Sequence, residues 1–120
     1  MWYTTLERLE DMSILNHAVA TMHHTIKTEG CGFIIRVDNS FDEYDKDGCY
    51  TLDELKEAIN VDLIEIVRLK DDLIFVCDEE GSFKPNNLNV IATQIFRKAY
   101  NDPTLFIFGD VILCDTNKVE

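Results

Sequence analysis

The sequence predicts one α+β domain, with a small antiparallel or mixed sheet of four or five strands, three helices and a long N-terminal helix. Short apolar runs rich in β-branched residues, bounded by turn residues, indicate the strands. Segments whose apolar residues recur every three or four positions indicate the helices. The length of 120 residues, of which 46% are hydrophobic, suits a single core.

The first predicted helix fills residues 1–30. A capping box of Thr4 and Glu7 opens it, and Gly30 suits its end. Its apolar stripe consists of Leu6, Leu9, Met12, Leu15, Val19, Met22 and Ile26. The stripe could pack on the domain's own sheet or form a subunit contact. We treat residues 1–30 as a possible oligomerisation element and residues 31–120 as the α+β domain. We expect a homodimer, or a multiple of dimers, whose contact includes Trp2, Leu9, Met12 and Val19.

The predicted strands lie at 33–37, 62–70 and 73–78, and residues 105–114 form one bent strand or two, with Gly109 at the bend. One further predicted helix is opened by the capping box Thr51–Glu54 and ended by Asn60, and another runs from the cap Asn87 to about residue 100. Apolar residues on both faces of 62–70 favour a central strand. The short connection to 73–78 predicts an antiparallel hairpin. Residues 38–49 are a polar stretch.

The formal charge of −12, from 23 acidic and 11 basic residues, argues against binding of a nucleic-acid polymer. The acids could form a solvated surface or an acidic face that imitates DNA and occupies a basic host protein. The cluster that motivates the second interpretation comprises Asp38, Asp42, Glu43, Asp45, Asp47, Asp53 and Glu57.

The chain has no apolar run of membrane-spanning length, and Met1–Tyr3 begin no signal peptide, so we expect a cytoplasmic protein without a membrane partner. The cysteines, Cys31, Cys49, Cys77 and Cys114, are scattered and form no C-x-x-C motif. We interpret them as reduced structural thiols.

Residues 43–54 approach the spacing of an EF-hand calcium loop. The pattern requires Asp where Glu43 stands, a strand rather than a helix precedes it, and a capping box accounts for Glu54. His17, His23 and His24 lack the i,i+3 or i,i+4 spacing of a zinc pair. We predict no metal, no cofactor and no catalytic residues.

The loop at 81–89 is the candidate ligand site, because a helix N-terminus can hold an anion. In this interpretation Phe83 stacks on a base, Lys84 and Arg97 meet phosphate, and Asn87 or Asn89 reads a base edge. Arg36, Arg68 and Lys98 are further candidate bases. The alternative is a turn and helix cap, with Phe83 in the core.

Residues 62–69, 73–81, 89–95 with Ala92-Thr93, and 108–113 resemble a family of small uncharacterised phage and bacterial domains, over about residues 33–116. More loosely, a long helix joined to a small α+β domain is similar to phage sponge proteins of the Thoeris anti-defence kind. The resemblance implies an oligomeric, non-enzymatic phage-type protein in the host bacterial cytoplasm. It would sequester a cyclic nucleotide or a cyclic ADP-ribose-like immune signal. The alternative function is an acidic, DNA-mimic-like inhibitor of a basic host protein.

Overall fold

A computed structural model describes the backbone of residues 5–120 and the side chains of residues 16–120. Its elements, in chain order, are α1 (Thr5–Glu29), β1 (Gly32–Ile35), β2 (Phe41–Tyr44), α2 (Leu52–Ile59), β3 (Ile64–Arg68), β4 (Leu73–Asp78), α3 (Val90–Tyr100) and β5 (Val111–Asp115). Short 3-10 turns follow β4 and β5, at Gly81–Phe83 and Thr116–Lys118. The described part of the chain therefore confirms the predicted α+β class.

The five strands form one sheet in the order β2-β1-β5-β4-β3, and every neighbouring pair is antiparallel. The predicted hairpin is confirmed, because β3 pairs with β4. Its two-residue turn, Asp71 and Asp72, has φ angles of 59° and 62°. Positive φ at both central residues matches the twist of the flanking strands, and aspartate tolerates this conformation better than most residues.

The sheet separates two apolar layers. Alternate residues of β1, β4 and β5 pack on one face against Met22 and Ile26 of α1 and Ala92 of α3. The remaining strand residues pack on the other face against Leu55 and Ile59 of α2, with Tyr50 buried beside them. Side chains that alternate between two covered faces explain why β4 and β5 read as unbroken apolar runs.

The placement of β3 corrects the sequence prediction. β3 is an edge strand, not a central one. Ile64 packs on the α2 side and Val67 on the α1/α3 side, whereas Glu65 and Ile66 are exposed. An edge strand can therefore contribute apolar side chains to both layers of the core, and apolar residues on both faces did not require a central position.

β2 lies within the stretch 38–49 for which no element was predicted. Three of its four residues are exposed, and they pair with β1 in a register that places Asp42 opposite Ile34. An exposed edge strand needs few apolar side chains, so composition alone gives little signal for it.

The last predicted strand, 105–114, is shorter than expected. β5 covers Val111–Asp115, and Phe108 forms only an isolated bridge with Leu88. The predicted bend at Gly109 is confirmed by its φ of +82°. A Cβ atom there would lie 3.3 Å from the side-chain nitrogen of Asn87, so both conformation and space favour glycine.

Helix α1 contributes to the core through the described part of its predicted stripe. Met22 and Ile26 are buried, and Val19 packs against the same layer. The Thr4–Glu7 capping box and the predicted contact residues Trp2, Leu9 and Met12 lie outside the described side chains. The subunit contact along the first helix therefore stays a prediction.

The capping box of α2 is confirmed. The Thr51 hydroxyl accepts the Glu54 N–H at 3.2 Å, and the Glu54 carboxylate accepts the Thr51 N–H at 2.8 Å. Lys46 also pairs with Glu54. Asn60 ends the helix in the left-handed conformation, as predicted.

This arrangement predicts acid sensitivity. The bonds from Lys46 and then Thr51 lower the pKa of Glu54 from 4.5 to about 2. A lowered folded-state pKa contributes stability above the ordinary pKa, and that contribution is lost as pH falls from about 4.5 towards 2. We expect Glu54→Gln to be less stable than the parent at neutral pH and to converge with it near pH 2, as measured by urea unfolding. A difference that stays constant across this range would contradict the assignment.

The thiols give a second prediction. Burial raises the pKa of Cys77 and of Cys114 to about 12, and burial together with the Glu43 carboxylate raises that of Cys31 to about 11. Because the thiolate is the reactive form, these three should resist iodoacetamide in the folded protein, whereas the half-buried Cys49 should react. Peptide mass spectrometry after timed alkylation measures this order. Alkylation of Cys77 as fast as that of Cys49 would contradict it.

Candidate functional site

A groove of about 770 Å³ lies between α1, the β3–β4 turn and α3. Its apolar lining comprises Val19, Leu69, Leu73, Ile95, Ala99 and Pro103. Its polar lining comprises the amides Asn16, Gln94 and Asn101, the cations Lys70, Arg97 and Lys98, and the carboxylates Asp71 and Asp102. A volume of this order suits a small ligand, and an apolar floor with a few polar groups is typical of ligand sites.

Among the described residues, the three cations of the groove have no carboxylate within 4.0 Å, and Lys56, Arg68 and Lys118 share this property. Lys27, Arg36, Lys46 and Lys84 are each held in a salt bridge, with Asp115, Asp42, Glu54 and Asp78 respectively. Within residues 16–120, no salt bridge involves Lys70, Arg97 or Lys98. In a chain of charge −12, these three positive charges are available for an external anion.

Arg97 is held in place by its surroundings. Its Nε donates to the Leu105 carbonyl at 2.7 Å, and its guanidinium carbon lies 4.5 Å from the centre of the Phe106 ring. Arg97 is thereby fixed against one wall, while its terminal nitrogens make no hydrogen bond to any described residue. Lys98 bridges the groove to α1, since its Nζ lies 3.3 Å from the Asn16 side-chain oxygen.

The predicted loop residues have other roles. Phe83 is 85% exposed, so the alternative that placed it in the core is wrong. The Lys84 ammonium donates to Asp78 at 2.6 Å, and this bond raises the pKa of Lys84. Lys84 is therefore already neutralised by a buried carboxylate, which weakens its attraction for a phosphate.

Asn89, not Asn87, is the N-cap of α3. The Asn89 side chain accepts the Ala92 N–H at 3.0 Å and donates to the carbonyls of Ile35 at 2.9 Å and Gly109 at 2.8 Å. Asn89 is fully buried, so its side chain cannot contact a nucleotide base. Asn87 donates to the Gly81 carbonyl at 3.0 Å and ties the loop closed.

A small cavity of about 180 Å³ lies beside this loop. Its lining includes the carboxylates Glu65, Asp78 and Glu79, together with Phe106 and Phe108. Three acids oppose an anionic ligand there. Of the predicted site residues, Arg97 lines the groove, whereas Phe83, Lys84, Asn87 and Asn89 do not.

The EF-hand-like spacing has a structural explanation. Glu43 lies in β2 and accepts the Cys31 thiol, and Glu54 belongs to the α2 cap. Across the described residues, no group of three His, Cys, Asp or Glu side chains is placed to hold a metal ion. In the same part of the chain, no helix has the length and apolar character needed to cross a bilayer.

His23 lies on α1, with its Nε2 3.6 Å from Asp71.

The fold and the groove define a single-sheet α+β domain with one described cleft suited to a small ligand. A family model described as "Domain of unknown function (DUF3846)" matches residues 26–120, and the chain belongs to this family. The predicted resemblance to a family of uncharacterised domains is thereby confirmed, with bounds wider than 33–116. The match begins at Ile26, so the last turn of α1 is part of the family's domain. No curated protein and no solved structure matches the chain.

Proposed function

We propose that this protein is a non-enzymatic binding protein that sequesters a small, nucleotide-derived anion in the groove between α1, the β3–β4 turn and α3. The carrying observation is that Lys70, Arg97 and Lys98 meet at this groove and that none of them has a carboxylate partner within residues 16–120. The ligand class is that of cyclic nucleotides and cyclic ADP-ribose-like immune signals, and the biological role is that of a phage anti-defence sponge.

Each part of such a ligand has a matching surface. The phosphates would meet the ammonium groups of Lys70 and Lys98 and the fixed guanidinium of Arg97, which can donate two parallel hydrogen bonds. The sugar and base would cover the apolar floor. The amides of Gln94 and Asn101 supply donors and acceptors for a base edge.

An oligomer would complete this site. Asn16 and Val19 of α1 form one wall of the groove. A second subunit packed along α1 would cover the open side of the groove and remove more of the ligand from water. We therefore include a homodimer, or a multiple of dimers, in the proposal.

The decisive experiment incubates the protein with cyclic nucleotides and cyclic ADP-ribose isomers, removes unbound ligand, denatures the protein and identifies what is released. Release of an intact ligand supports sequestration. Release of a cleaved ligand would show an enzyme, and release of nothing would contradict the proposal.

Charge-neutral variants locate the site. Lys98→Gln should weaken binding by about 1–3 kcal/mol, the range for a hydrogen bond to a charged group, as measured by titration calorimetry. Lys56→Gln on α2 is the matched control, because it removes the same charge from the opposite face of the sheet. Phe83→Ala separates the two candidate locations. A loss of binding in Phe83→Ala without a loss in Lys98→Gln would return the site to the 81–89 loop.

A further inference from the structure

The outer edge of β2 presents unpaired backbone groups. The Arg36 N–H donates to the Ser40 carbonyl at 2.9 Å, which fixes the hydrogen-bonding register of the β1–β2 hairpin. Antiparallel partners alternate between hydrogen-bonded and non-bonded pairs. The backbone N–H and C=O of Asp42 therefore point towards β1, whereas those of Phe41 and Glu43 point away from it. Within the described residues, no other group bonds to the N–H or C=O of Phe41 and Glu43.

The opposite edge of the sheet is partly closed. The same alternation turns the Arg68 carbonyl of β3 outward, where the Tyr100 hydroxyl donates to it. This contact occupies one acceptor of that edge. No equivalent cover is present on β2 in the part of the chain that the structure describes.

The surroundings of β2 are acidic on both faces. Asp42 and Tyr44 lie on the α2 side, where the Tyr44 hydroxyl reaches the Glu54 carbonyl. Phe41 and Glu43 lie on the other side. Asp45 and Asp47, both exposed, continue directly from the strand. Two basic residues in this region, Arg36 and Lys46, are already paired with Asp42 and Glu54. A third, Lys118, donates to the Lys46 carbonyl and lies 5.4 Å from the centre of the Tyr50 ring.

We propose that β2 is a docking edge for an extended, lysine- or arginine-rich segment of another protein, which adds as a sixth strand beside Phe41–Tyr44. The partner's backbone would pair with the outward N–H and C=O groups of Phe41 and Glu43. Its basic side chains would meet Asp42 on one face of the sheet and Glu43 on the other, with Asp45 and Asp47 at the end of the strand.

Charge favours a different protein over a second copy paired in register. If β2 paired antiparallel with β2 of a second copy so that Phe41 lay opposite Glu43, Asp42 would lie directly opposite Asp42. Like charges directly opposite each other destabilise a strand pair. A basic segment replaces this repulsion with attraction. This docking edge is separate from the ligand groove. β2 forms one edge of the sheet, whereas the groove lies near the β3–β4 turn, and β3 forms the opposite edge.

Two peptides test the backbone part of the proposal. The probe is a fluorescein-labelled octapeptide of alternating lysine and valine, and its control is the same peptide with every backbone nitrogen methylated. The N-methyl peptide keeps every charge but can donate no backbone hydrogen bond from either edge. We expect the unmodified probe to bind on the order of tenfold more tightly, with amide NMR shifts at Phe41 and Glu43. Equal binding of the two peptides would overturn the proposal.

Two sets of variants test the location. Asp42→Asn, Asp45→Asn and Asp47→Asn together remove three charges beside β2. The matched control, Asp62→Asn, Glu65→Gln and Glu79→Gln, removes three charges at the β3 edge. We expect binding of the unmodified probe to fall on the order of tenfold in the first set and to stay close to the parent in the second. Circular dichroism confirms folding of both. An equal loss in both sets, or no binding to the parent protein, would overturn the proposal.

Discussion

Replacing Asn89 with alanine is expected to lower the free energy of unfolding by about 3–5 kcal/mol. The change removes an N-cap, worth about 1 kcal/mol, and one of the hydrogen bonds to the Ile35 carbonyl, worth about 1 kcal/mol. It also leaves the buried Gly109 carbonyl without its side-chain donor, at about 1–3 kcal/mol. Domains of this size are stable by about 5–15 kcal/mol. Urea denaturation followed by circular dichroism measures the effect.

Asn87→Ala is the matched control for this prediction. It removes an asparagine two positions earlier, which donates one bond from a half-buried site to the Gly81 carbonyl. Its cost should be about 1 kcal/mol. If Asn89→Ala were no more destabilising than Asn87→Ala, Asn89 would not be the residue that joins β1, α3 and the approach to β5.

Gly32→Ala is expected to cost about 3 kcal/mol. A Cβ atom at Gly32 would lie 2.9 Å from the Tyr50 hydroxyl oxygen and 3.1 Å from both the Leu113 carbonyl oxygen and the Cys114 Cβ. The Tyr50 hydroxyl accepts the Gly32 N–H at 3.0 Å and donates to the Tyr44 carbonyl. The added methyl group would therefore displace a hydroxyl that bridges β1 and β2, in addition to overpacking the core.

A double-mutant cycle isolates the hydroxyl contact. Tyr50→Phe alone removes the hydrogen bonds that its hydroxyl makes to the Gly32 N–H and the Tyr44 carbonyl, and it should cost about 1–3 kcal/mol. Tyr50→Phe also removes the hydroxyl oxygen, which is the atom nearest to the new methyl group. The double mutant Gly32→Ala/Tyr50→Phe should therefore be less destabilising than the sum of the two single changes. Strict additivity in urea denaturation would contradict this account of Gly32.

Capping motifs and unbroken apolar runs correctly predicted the elements whose formation depends on residues near in sequence. The Thr51–Glu54 box fixes the start of α2 through contacts three residues apart, and the apolar run of β4 needs no knowledge of its partners. The position of β3 in the sheet was not accessible in this way. Its apolar residues pack against two layers built largely by distant parts of the chain, so its pattern does not distinguish an edge strand from a central one.

The choice between two asparagines shows the same limit at the candidate site. Asn87 and Asn89 are equally good caps by residue type, and the burial of Asn89 between β1 and Gly109 decides between them. The groove combines residues of α1, the β3–β4 turn and α3. The sequence analysis predicted Arg97 as a ligand-binding residue and Lys98 as a further candidate base. Lys70 was missed, because no motif surrounds it and only the hairpin brings it to α3.

The sheet order has a consequence for how the protein folds. The hairpins β1–β2 and β3–β4 are each formed by neighbouring segments, but β5, the last strand in the chain, lies between them and pairs with both. Isolated two-stranded hairpins are marginal in water, so neither can persist before β5 inserts. On the ribosome the apolar faces of both hairpins would stay uncovered until the strand at 111–115 has left the exit tunnel. Chaperone binding during synthesis, and sensitivity to premature termination just before Val111, follow from the central place of the last strand.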